Sequence, residues 1–251
     1  MKVLEIKNVC KKYTNNKNVN TVVLKNINLT LENNEFLGIM GASGSGKTTL
    51  LNTASGVDKC DKGEINIWGK DICKMKKNEL SVFRRNNIGM VFQDFNLLNS
   101  LTVKENIMVP LILDKKYEIM EGDTVSKLAN MLDIDEIMGK YPYEISGGQQ
   151  QRAAICRAII NNPKIIFSDE PTGNLDLKSS KKVLSYFELL HKEYNANILM
   201  VTHDPLSASY CDRIVFLQDG VIIKEIRKKA NKAEFFDNIL QALQDFNADD
   251  I

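Results

Sequence analysis

Residues 41 to 50, GASGSGKTTL, have the composition and spacing of a phosphate-binding loop, Gly41-x-x-x-x-Gly46-Lys47-Thr48. Glycines let backbone N–H groups turn toward a phosphate, and a helix beginning near Lys47 would add the positive end of its dipole. Lys47 would place its charge at the β- and γ-phosphates, and Thr48 would ligate Mg²⁺. The alternative is a flexible turn rich in glycine and serine. The apolar run EFLGIM before the loop and the helix-like KTTLLNTAS after it favour phosphate binding.

Further polar residues follow apolar runs, where buried strands are predicted to end. KIIFSDE ends in Asp169 and Glu170, so the aspartate could act near Mg²⁺ and the glutamate could polarise an attacking water. A solvated acidic pair before Pro171 is the alternative, and the apolar run that leads into the pair disfavours it. Gln93 could touch Mg²⁺ and the water, and His203 could bind the γ-phosphate. A solvated glutamine and a structural histidine fit these two residues as well.

The segment ISGGQQQR, residues 145 to 152, predicts a second helix N-terminus that could bind an anion. Ser146 is a good N-cap, and Gly147 and Gly148 would let another group approach closely. One interpretation is a capped helix whose glycines relieve crowding. The other is that this end binds the nucleotide held by another subunit.

Composition excludes several classes of protein. The net charge is +1, which gives no global attraction to nucleic acid, and 43% of the residues are apolar, enough for a sizeable core. The five cysteines are scattered without C-x-x-C spacing, so neither a metal site nor a disulfide framework is predicted and a reducing cytosol is the simplest setting. The start of the chain has no signal-peptide pattern, and no apolar run approaches the roughly 20 residues that span a bilayer. Any membrane role would therefore come through a partner.

The elements that position these residues follow from periodicity. VLEIKNV and VVLKNINLTL alternate as strands do, EINIW and IGMVFQ read as further strands, and RIVFLQDGVIIKEI predicts a hairpin turning at Asp219-Gly220. Residues 94–160 are helix-like, and a helix is predicted over 178–194. Breaks in the helix-like region are expected at Pro110, Gly122, Gly139 and Pro142. A tail helix carries an apolar stripe that would pack on its own domain or on a partner: Phe235, Ile239, Leu243 and Phe246.

This order predicts an α/β protein with one nucleotide-binding core. The core would span residues 1–226, with a helical subdomain at about 94–160 inserted into it. Residues 227–251 would form an amphipathic helical tail.

Together the motifs resemble the nucleotide-binding subunit of ATP-binding cassette (ABC) transporters over nearly the whole chain. The order is complete: Walker A at 41–48, the Q-loop at Gln93, the signature SGGQ at 146–149, Walker B at Asp169, the D-loop GNLD ending at Asp176, and the switch His203. The one departure is Ile145, where the family usually has leucine. The resemblance implies an ATPase with a P-loop NTPase fold, namely a RecA-like core, an N-terminal antiparallel β-subdomain and an inserted α-helical subdomain.

The resemblance also implies a role for each matching residue. Tyr13 would stack on adenine, and ATP would further be bound by Gly41, Ala42, Ser43, Gly44, Ser45, Gly46, Lys47, Thr48 and Thr49. Two subunits would close head to tail as a homodimer in the ATP-bound state, each contacting the other's ATP through Ser146, Gly147, Gly148 and Gln149. Glu170 would be the catalytic base, His203 would contact the γ-phosphate, and Asp176 would couple the two sites. Mg²⁺ would be held by Thr48, Gln93 and Asp169.

The flanking stretches VFQDFNLLNSLTVKENI and DEPTGNLD resemble the branch of macrolide-exporter, lipoprotein-release and cell-division cassettes, and most of all the bacitracin-resistance (BceAB-type) ATPases. This implies a permease with about ten spans and a large extracellular domain, and resistance to or sensing of cell-wall-active antimicrobial peptides. A two-component sensor kinase could act through that permease. The ATPase would lie at the cytoplasmic face of the cell membrane.

Several alternatives stay open at this point. The subunit could serve lipoprotein release, macrolide efflux or cell division, the last as a regulatory module rather than a transporter. Cassettes that act on DNA or ribosomes usually carry long coiled coils or two cassettes, which this chain lacks, so no nucleic-acid partner is expected. The family docks a permease helix beside the Q-loop, where residues 94–98 could otherwise be core.

Overall fold

The alternation of apolar and polar residues near the start of the chain produces an antiparallel sheet. The computed structural model describes residues 1–14, 20–116, 118, 123–229 and 231–248, and the side chains of 246–248 lie outside the description. The elements up to residue 75 are β1 (Lys2–Thr14), β2 (Asn20–Glu32), β3 (Phe36–Met40), α1 (Lys47–Ala54), β4 (Lys62–Ile67) and β5 (Lys70–Asp71). β1 pairs antiparallel with both β2 and β4, and the order is β2-β1-β4-β5. The predicted N-terminal strands are thus confirmed.

A second compact unit comprises Lys76–Tyr194. Its elements are α2 (Lys77–Asn87), β6 (Ile88–Val91), α3 (Val103–Leu113), α4 (Thr124–Met131), α5 (Gly147–Ile159), β7 (Ile165–Asp169) and α6 (Leu177–Tyr194). β6 and β7 pair in parallel, and α5 packs against both α3 and β6. The helix predicted over 178–194 is confirmed as α6. Short 3₁₀ turns near Gly139 and at Pro142 fit the breaks predicted there, while Gly122 lies outside the described residues.

The break predicted at Pro110 is wrong, because this proline lies inside α3. A proline in a helix removes one backbone hydrogen bond, and here only three helical residues follow it. The start of α3 is strongly capped. Thr102 and Glu105 form a reciprocal capping box. Neither α3 nor any other helix in the described ranges is long and apolar enough to cross a membrane.

The last part of the chain, from Asn195 on, joins Met1–Met75 in the first compact unit. It contributes β8 (Ile198–Thr202), α7 (Pro205–Ala208), β9 (Arg213–Gln218), β10 (Val221–Arg227) and α8 (Lys232–Ala248). Within this unit the strands lie in the order β10-β9-β3-β8, so the fully buried β3 has parallel neighbours on both sides. The predicted hairpin is confirmed. Asp219 and Gly220 both have positive φ, 47° and 77°, as a tight hairpin turn requires.

The tail helix α8 packs on the first unit, next to α7. Phe235 and Ile239 are completely buried, and Leu243 is half-buried. Phe246, the fourth member of the predicted stripe, has its side chain outside the described part of the chain. The described part of the stripe therefore packs on its own unit, which was one of the two interpretations. The division of the chain at residue 226, with an insertion at about 94–160, stays a prediction.

Candidate nucleotide-binding site

The loop between β3 and α1 has the strand–loop–helix geometry that the sequence predicts. Two of its glycines are required for different reasons. Gly46 precedes α1 with a φ of 103°, in the left-handed region that favours glycine. Gly41 has no such strain, but a Cβ there would lie 2.1 Å from the carbonyl oxygen of Leu217. The loop therefore follows a path that larger residues at these two positions would block.

The N-terminus of α1 is accessible to an anion. Lys47 is only 6% exposed, and its Nζ donates to the carbonyl oxygens of Gly41 and Ala42, at 2.9 Å each. No side chain caps the helix, and the buried hydroxyl of Ser45 has no hydrogen-bond partner. An uncapped helix N-terminus, an unsatisfied buried hydroxyl and an enclosed ammonium group are what a phosphate would satisfy. The outer edge of the loop, where a ligand would arrive, is exposed at Ala42, Ser43, Gly44 and Thr48.

Tyr13, near the end of β1, is fixed by the segment that follows α1. Its hydroxyl donates to Asp58 Oδ2 at 2.7 Å. Burial and the hydrogen bond to Asp58 raise the pKa of Tyr13, so the ring stays a neutral phenol. The ring remains 42% exposed, although Lys11 Nζ lies 4.9 Å from its centroid. An exposed, fixed aromatic ring in the unit that carries the phosphate loop suits stacking on a base.

His203 lies at the same edge of the sheet as the phosphate loop. β3 and β8 are parallel, with Met40 opposite Thr202, so Gly41 and His203 leave adjacent strands at the same level. The imidazole is exposed, and the following Asp204 accepts from two backbone N–H groups at the start of α7. The structure thus brings His203 to the loop within the first unit.

In the second unit, Gln93 and Asp169 also lie at one sheet edge. Val91 is opposite Ser168 in the parallel pair of β6 and β7, and both polar residues follow at the carboxyl ends. The strand ends at Val91, two residues before the predicted end at Gln93. The Gln93 side chain donates through Nε2 to Asn174 Oδ1 at 3.2 Å. Asn174, from the D-loop segment, was not singled out by sequence reasoning.

Glu170 has an unusual backbone conformation. Its φ is 44°, in the left-handed region that non-glycine residues seldom adopt. The turn that follows is closed by a hydrogen bond from Gly173 N to the carbonyl oxygen of Glu170, at 3.0 Å. Asp169 and Glu170 are both half-buried. Strained residues persist where the surrounding structure fixes them, and they concentrate at functional sites.

One buried residue that the sequence did not identify connects the loop after β6 with the loop after β7. Gln151, on α5, donates through Nε2 to the carbonyl oxygens of Pro171 at 2.7 Å and Phe92 at 3.3 Å. Its side chain thereby fixes the segments after β6 and β7, which carry Gln93 and Glu170. The only signal in the sequence was its place in the run QQQR, one helical turn after the glycines.

The signature segment forms the capped helix that was one of its two interpretations. Ser146 Oγ accepts from Gln149 N at 3.3 Å, and Ser146 N donates to Gln149 Oε1 at 2.9 Å. A Cβ on Gly148 would lie 3.0 Å from Ser179 Oγ, and one on Gly147 would lie 3.3 Å from Leu175 Cδ2. The glycines thus let the end of α5 pack closely on the D-loop segment. The N–H groups of Gly147 and Gly148 stay outside the capping box.

Asp176, the D-loop residue, holds the start of α6. Its carboxylate accepts from Lys178 N at 2.9 Å, from Ser179 N at 3.0 Å and from Ser179 Oγ at 2.6 Å. The hydrogen bonds from Ser179 hold the pKa of Asp176 below its usual value, so the carboxylate stays charged at neutral pH. Ser179 also touches the signature helix at Gly148, which links the D-loop to the signature within one unit.

The residues predicted to hold Mg²⁺ have suitable chemistry. Thr48, Gln93 and Asp169 offer hydroxyl, amide and carboxylate oxygens, the hard donors that Mg²⁺ prefers. Mg²⁺ usually binds one or two protein groups, and takes its other ligands from substrate phosphates and water. Among the described residues, no group of three or more His, Cys, Asp or Glu is arranged to hold a metal ion.

The comparison with protein families identifies the class. Residues 24–173 match the family described as ABC transporter. This chain belongs to that family, and it is an ATP-binding cassette that hydrolyses ATP. The α/β fold with an antiparallel β-subdomain, predicted from the motifs, is confirmed.

Individual relatives match nearly the whole chain. It is 48% identical to the uncharacterized ABC transporter ATP-binding protein YvcR of Bacillus subtilis, over 99% of this chain and 96% of that protein. It is 46% identical to the bacitracin export ATP-binding protein BceA of Halalkalibacterium halodurans, over 96% of this chain and 95% of that protein. A solved structure of MJ0796 from Methanocaldococcus jannaschii, a dimeric cassette in a post-hydrolysis state bound to ADP and Pi, superposes with a TM-score of 0.81. That structure is 36% identical and covers 90% of this chain and 99% of MJ0796.

Proposed function

We propose that this ATPase powers a membrane permease of the BceAB type, and that the complex gives resistance to, or senses, cell-wall-active antimicrobial peptides. The observation that carries the proposal is the similarity to the bacitracin export ATP-binding protein, which extends over nearly both chains. The flanking sequences after Gln93 and around the D-loop point to the same group.

Within this function, each part of the site has a proposed role. The phosphates of ATP lie on the loop 41–49, where Lys47 leaves its two carbonyl partners to bind the β- and γ-phosphates. Tyr13 stacks on adenine. Glu170 takes a proton from the attacking water, and His203 donates to the γ-phosphate. Such a positioned base contributes about 10²- to 10⁴-fold.

Mg²⁺ is proposed to bind at Thr48, Gln93 and Asp169. When bound, it would neutralise the charge that develops on the phosphate oxygens. The chain's own contribution is to hold three hard oxygen donors. The hydrogen bond between Gln93 Nε2 and Asn174 keeps the amide nitrogen engaged, which favours presenting the amide oxygen to the ion.

The active form is proposed to be a homodimer that closes over two ATP molecules. Ser146, Gly147, Gly148 and Gln149 of each subunit would contact the ATP of the other. The uncapped N–H groups of the two glycines support this role, because they can still donate to a phosphate. Asp176 would couple the sites through Ser179, which touches both the D-loop carboxylate and the signature helix.

The segment 94–98 is proposed to dock the permease at the cytoplasmic face of the membrane. Leu98 is 51% exposed, and Asp94 beside Gln93 is exposed as well. Phe95 and Leu97 are half-buried and would complete the contact surface. A movement of this segment would reach the site directly, since Asn174 bonds to both Gln93 and Asp94. A two-component sensor kinase is proposed to act through the same permease.

The experiment that tests the proposal is purification of the subunit from its native membrane in a mild detergent, with identification of the bound partner. We expect a permease with about ten membrane spans, at roughly 20 apolar residues each, and a large extracellular domain. A four-span partner would replace the proposal with lipoprotein release, macrolide efflux or a regulatory role in cell division. Recovery of soluble partners alone would contradict the transporter role and leave the ATPase activity standing.

A growth assay tests the substrate class. Deletion of the gene should lower the bacitracin concentration that stops growth, and the wild-type gene should restore resistance. Glu170→Gln should fail to restore it, whereas Glu136→Gln, a matched change at an exposed glutamate of the same unit, should succeed. Unchanged sensitivity of the deletion strain to bacitracin and to other cell-wall-active peptides would contradict the peptide-resistance role.

A further inference from the structure

Two cysteines that are 13 residues apart in the sequence meet in the first unit. The Sγ atoms of Cys60 and Cys73 lie 3.0 Å apart and share a hydrogen bond. Cys60 lies just before β4, and Cys73 lies in the 3₁₀ turn Ile72–Lys74 that follows β5. Both thiols are free and partly exposed. The sequence does not predict this pair, because the spacing of the two cysteines matches no known dithiol motif. The two residues come together only because the chain turns back from β4 to β5.

The backbone on both sides of the pair is fixed. Asp71 Oδ1 accepts from Cys73 N at 3.0 Å and caps the 3₁₀ turn. On the other side, Asp61 follows Cys60 and accepts through Oδ2 from Lys12 N on β1, at 2.7 Å. These contacts hold the two segments independently of the thiols. A bond between the sulfur atoms would therefore need only a small local shift, to about 2.0 Å.

We propose that Cys60 and Cys73 form a site of reversible thiol oxidation, whose reaction partner is a low-molecular-weight disulfide. The Cys60 thiolate attacks one sulfur of the reagent, forms a mixed disulfide and releases one reagent thiolate. Cys73 then loses its proton to solvent and attacks Cys60 Sγ, which closes the protein disulfide and releases the second reagent thiol. The two protein sulfurs lose two electrons, and the reagent disulfide gains them.

The surroundings of Cys73 disfavour its thiolate. Burial and the neighbouring Cys60 raise the pKa of Cys73 to about 12, so little of this thiol is ionised at neutral pH. The remaining cysteines differ from the pair. Burial raises the pKa of Cys156 to about 12, Cys211 is fully buried, and Cys10 is partly exposed but accepts a hydrogen bond from Asn26 N instead of facing a thiol.

The test is peptide mapping of the full chain after incubation with oxidised glutathione and removal of the reagent. We expect two of the five thiols to disappear, a peptide pair linked through Cys60 and Cys73, and full recovery of thiols with dithiothreitol. Cys73→Ser should stop at a glutathione adduct on Cys60. Cys10→Ser, the matched control, should still form the link.

Three outcomes would overturn the proposal. They are retention of all five thiols in the wild-type chain, a link between any other pair, and a glutathione adduct on wild-type Cys60 that never closes to Cys73. The wild-type mapping decides the matter even if a variant folds poorly. None of these measurements depends on the transport role, on ATP binding or on a permease.

Discussion

The ends of α1 and α5 are both glycine-flanked helix N-termini, yet they are built in opposite ways. At α1, Gly46 precedes the helix without any side-chain cap, and Ser45 keeps a buried hydroxyl without a partner. At α5, Ser146 and Gln149 bond to each other's backbone in a complete capping box. The first end leaves polar groups unsatisfied in the subunit alone, whereas the second is stable without a ligand.

This difference assigns the two ends different tasks. An end with unsatisfied groups has free energy to gain from a ligand, so α1 suits binding of the nucleotide by a single subunit. An end that is already capped gains less, and only the N–H groups of Gly147 and Gly148 remain for an additional contact. That arrangement suits a contact that forms late, when a second subunit brings its ATP.

The largest expected effect is on the rate of ATP hydrolysis, and it separates hydrolysis from ATP binding at the N-termini of α1 and α5. Glu170→Gln should lower the rate of ATP hydrolysis by about 10²- to 10⁴-fold, because the variant lacks the proposed base that activates water. ATP binding at α1 should survive, so ATP-bound dimers should accumulate and light scattering with ATP should report twice the mass. Glu136→Gln, at an exposed position, should behave as wild type. A variant that binds ATP and stays strictly monomeric would contradict the proposed closure of two copies of this chain.

The second largest expected effect is on ATP binding at the N-terminus of α1. Lys47→Ala should weaken ATP binding by about 10- to 100-fold, since a charge-assisted hydrogen bond contributes about 1.5 to 3 kcal/mol. Calorimetric titration of the isolated subunit with ATP measures this. Lys229→Ala, at an exposed lysine of the same unit, should leave the affinity unchanged. Equal affinities for the Lys47 variant and the wild type would remove the α1 end from the binding site.

A pair of glycine substitutions compares the two ends directly. Gly41→Ala should reduce the free energy of unfolding by roughly 1 to 3 kcal/mol and weaken ATP binding, because its Cβ would meet the carbonyl oxygen of Leu217 at 2.1 Å. Gly147→Ala should change stability by about 0.5 kcal/mol or less, since its nearest neighbour is a movable leucine methyl group at 3.3 Å. Urea unfolding and ATP titration measure both. Similar losses in the two variants would mean that the two loops are equally constrained.

The smallest expected effect is on the free energy of unfolding when the serine at each helix N-terminus is replaced. Ser146→Ala should lower the free energy of unfolding by about 1 kcal/mol, the usual cost of a lost N-cap. Ser45→Ala should leave the ATP-free subunit unchanged or slightly more stable, because its hydroxyl is buried without a partner. Urea unfolding without nucleotide compares them. A larger loss for the Ser45 variant would show that the α1 end is satisfied internally after all.

Much of this arrangement was predictable from local sequence. The phosphate loop, the strands that end in Asp169 and before His203, the N-cap at Ser146 and the Asp219-Gly220 turn all depend on residues that are close together in the chain. Periodicity and turn chemistry act over such short distances, so they can be recognised without a structure.

The features that were missed depend on residues far apart in the chain. Gln151 bonds to Phe92 and Pro171, and Tyr13 bonds to Asp58, which no local pattern indicates. Pro110 was expected to break a helix, but the lost hydrogen bond is one of many in a helix that tertiary packing against α5 stabilises. Burial and long-range partners decide these positions, and both require the fold.

The burial of Phe235 and Ile239 by the tail helix limits how the protein can be shortened. A chain cut after residue 226 would bare the apolar surface that these two side chains cover, and each buried group of this kind contributes about 1.5 to 3 kcal/mol. Newly exposed apolar patches also promote aggregation. We therefore expect a recombinant ATPase cut after residue 226 to aggregate, and a soluble preparation to need the helix Lys232–Ala248.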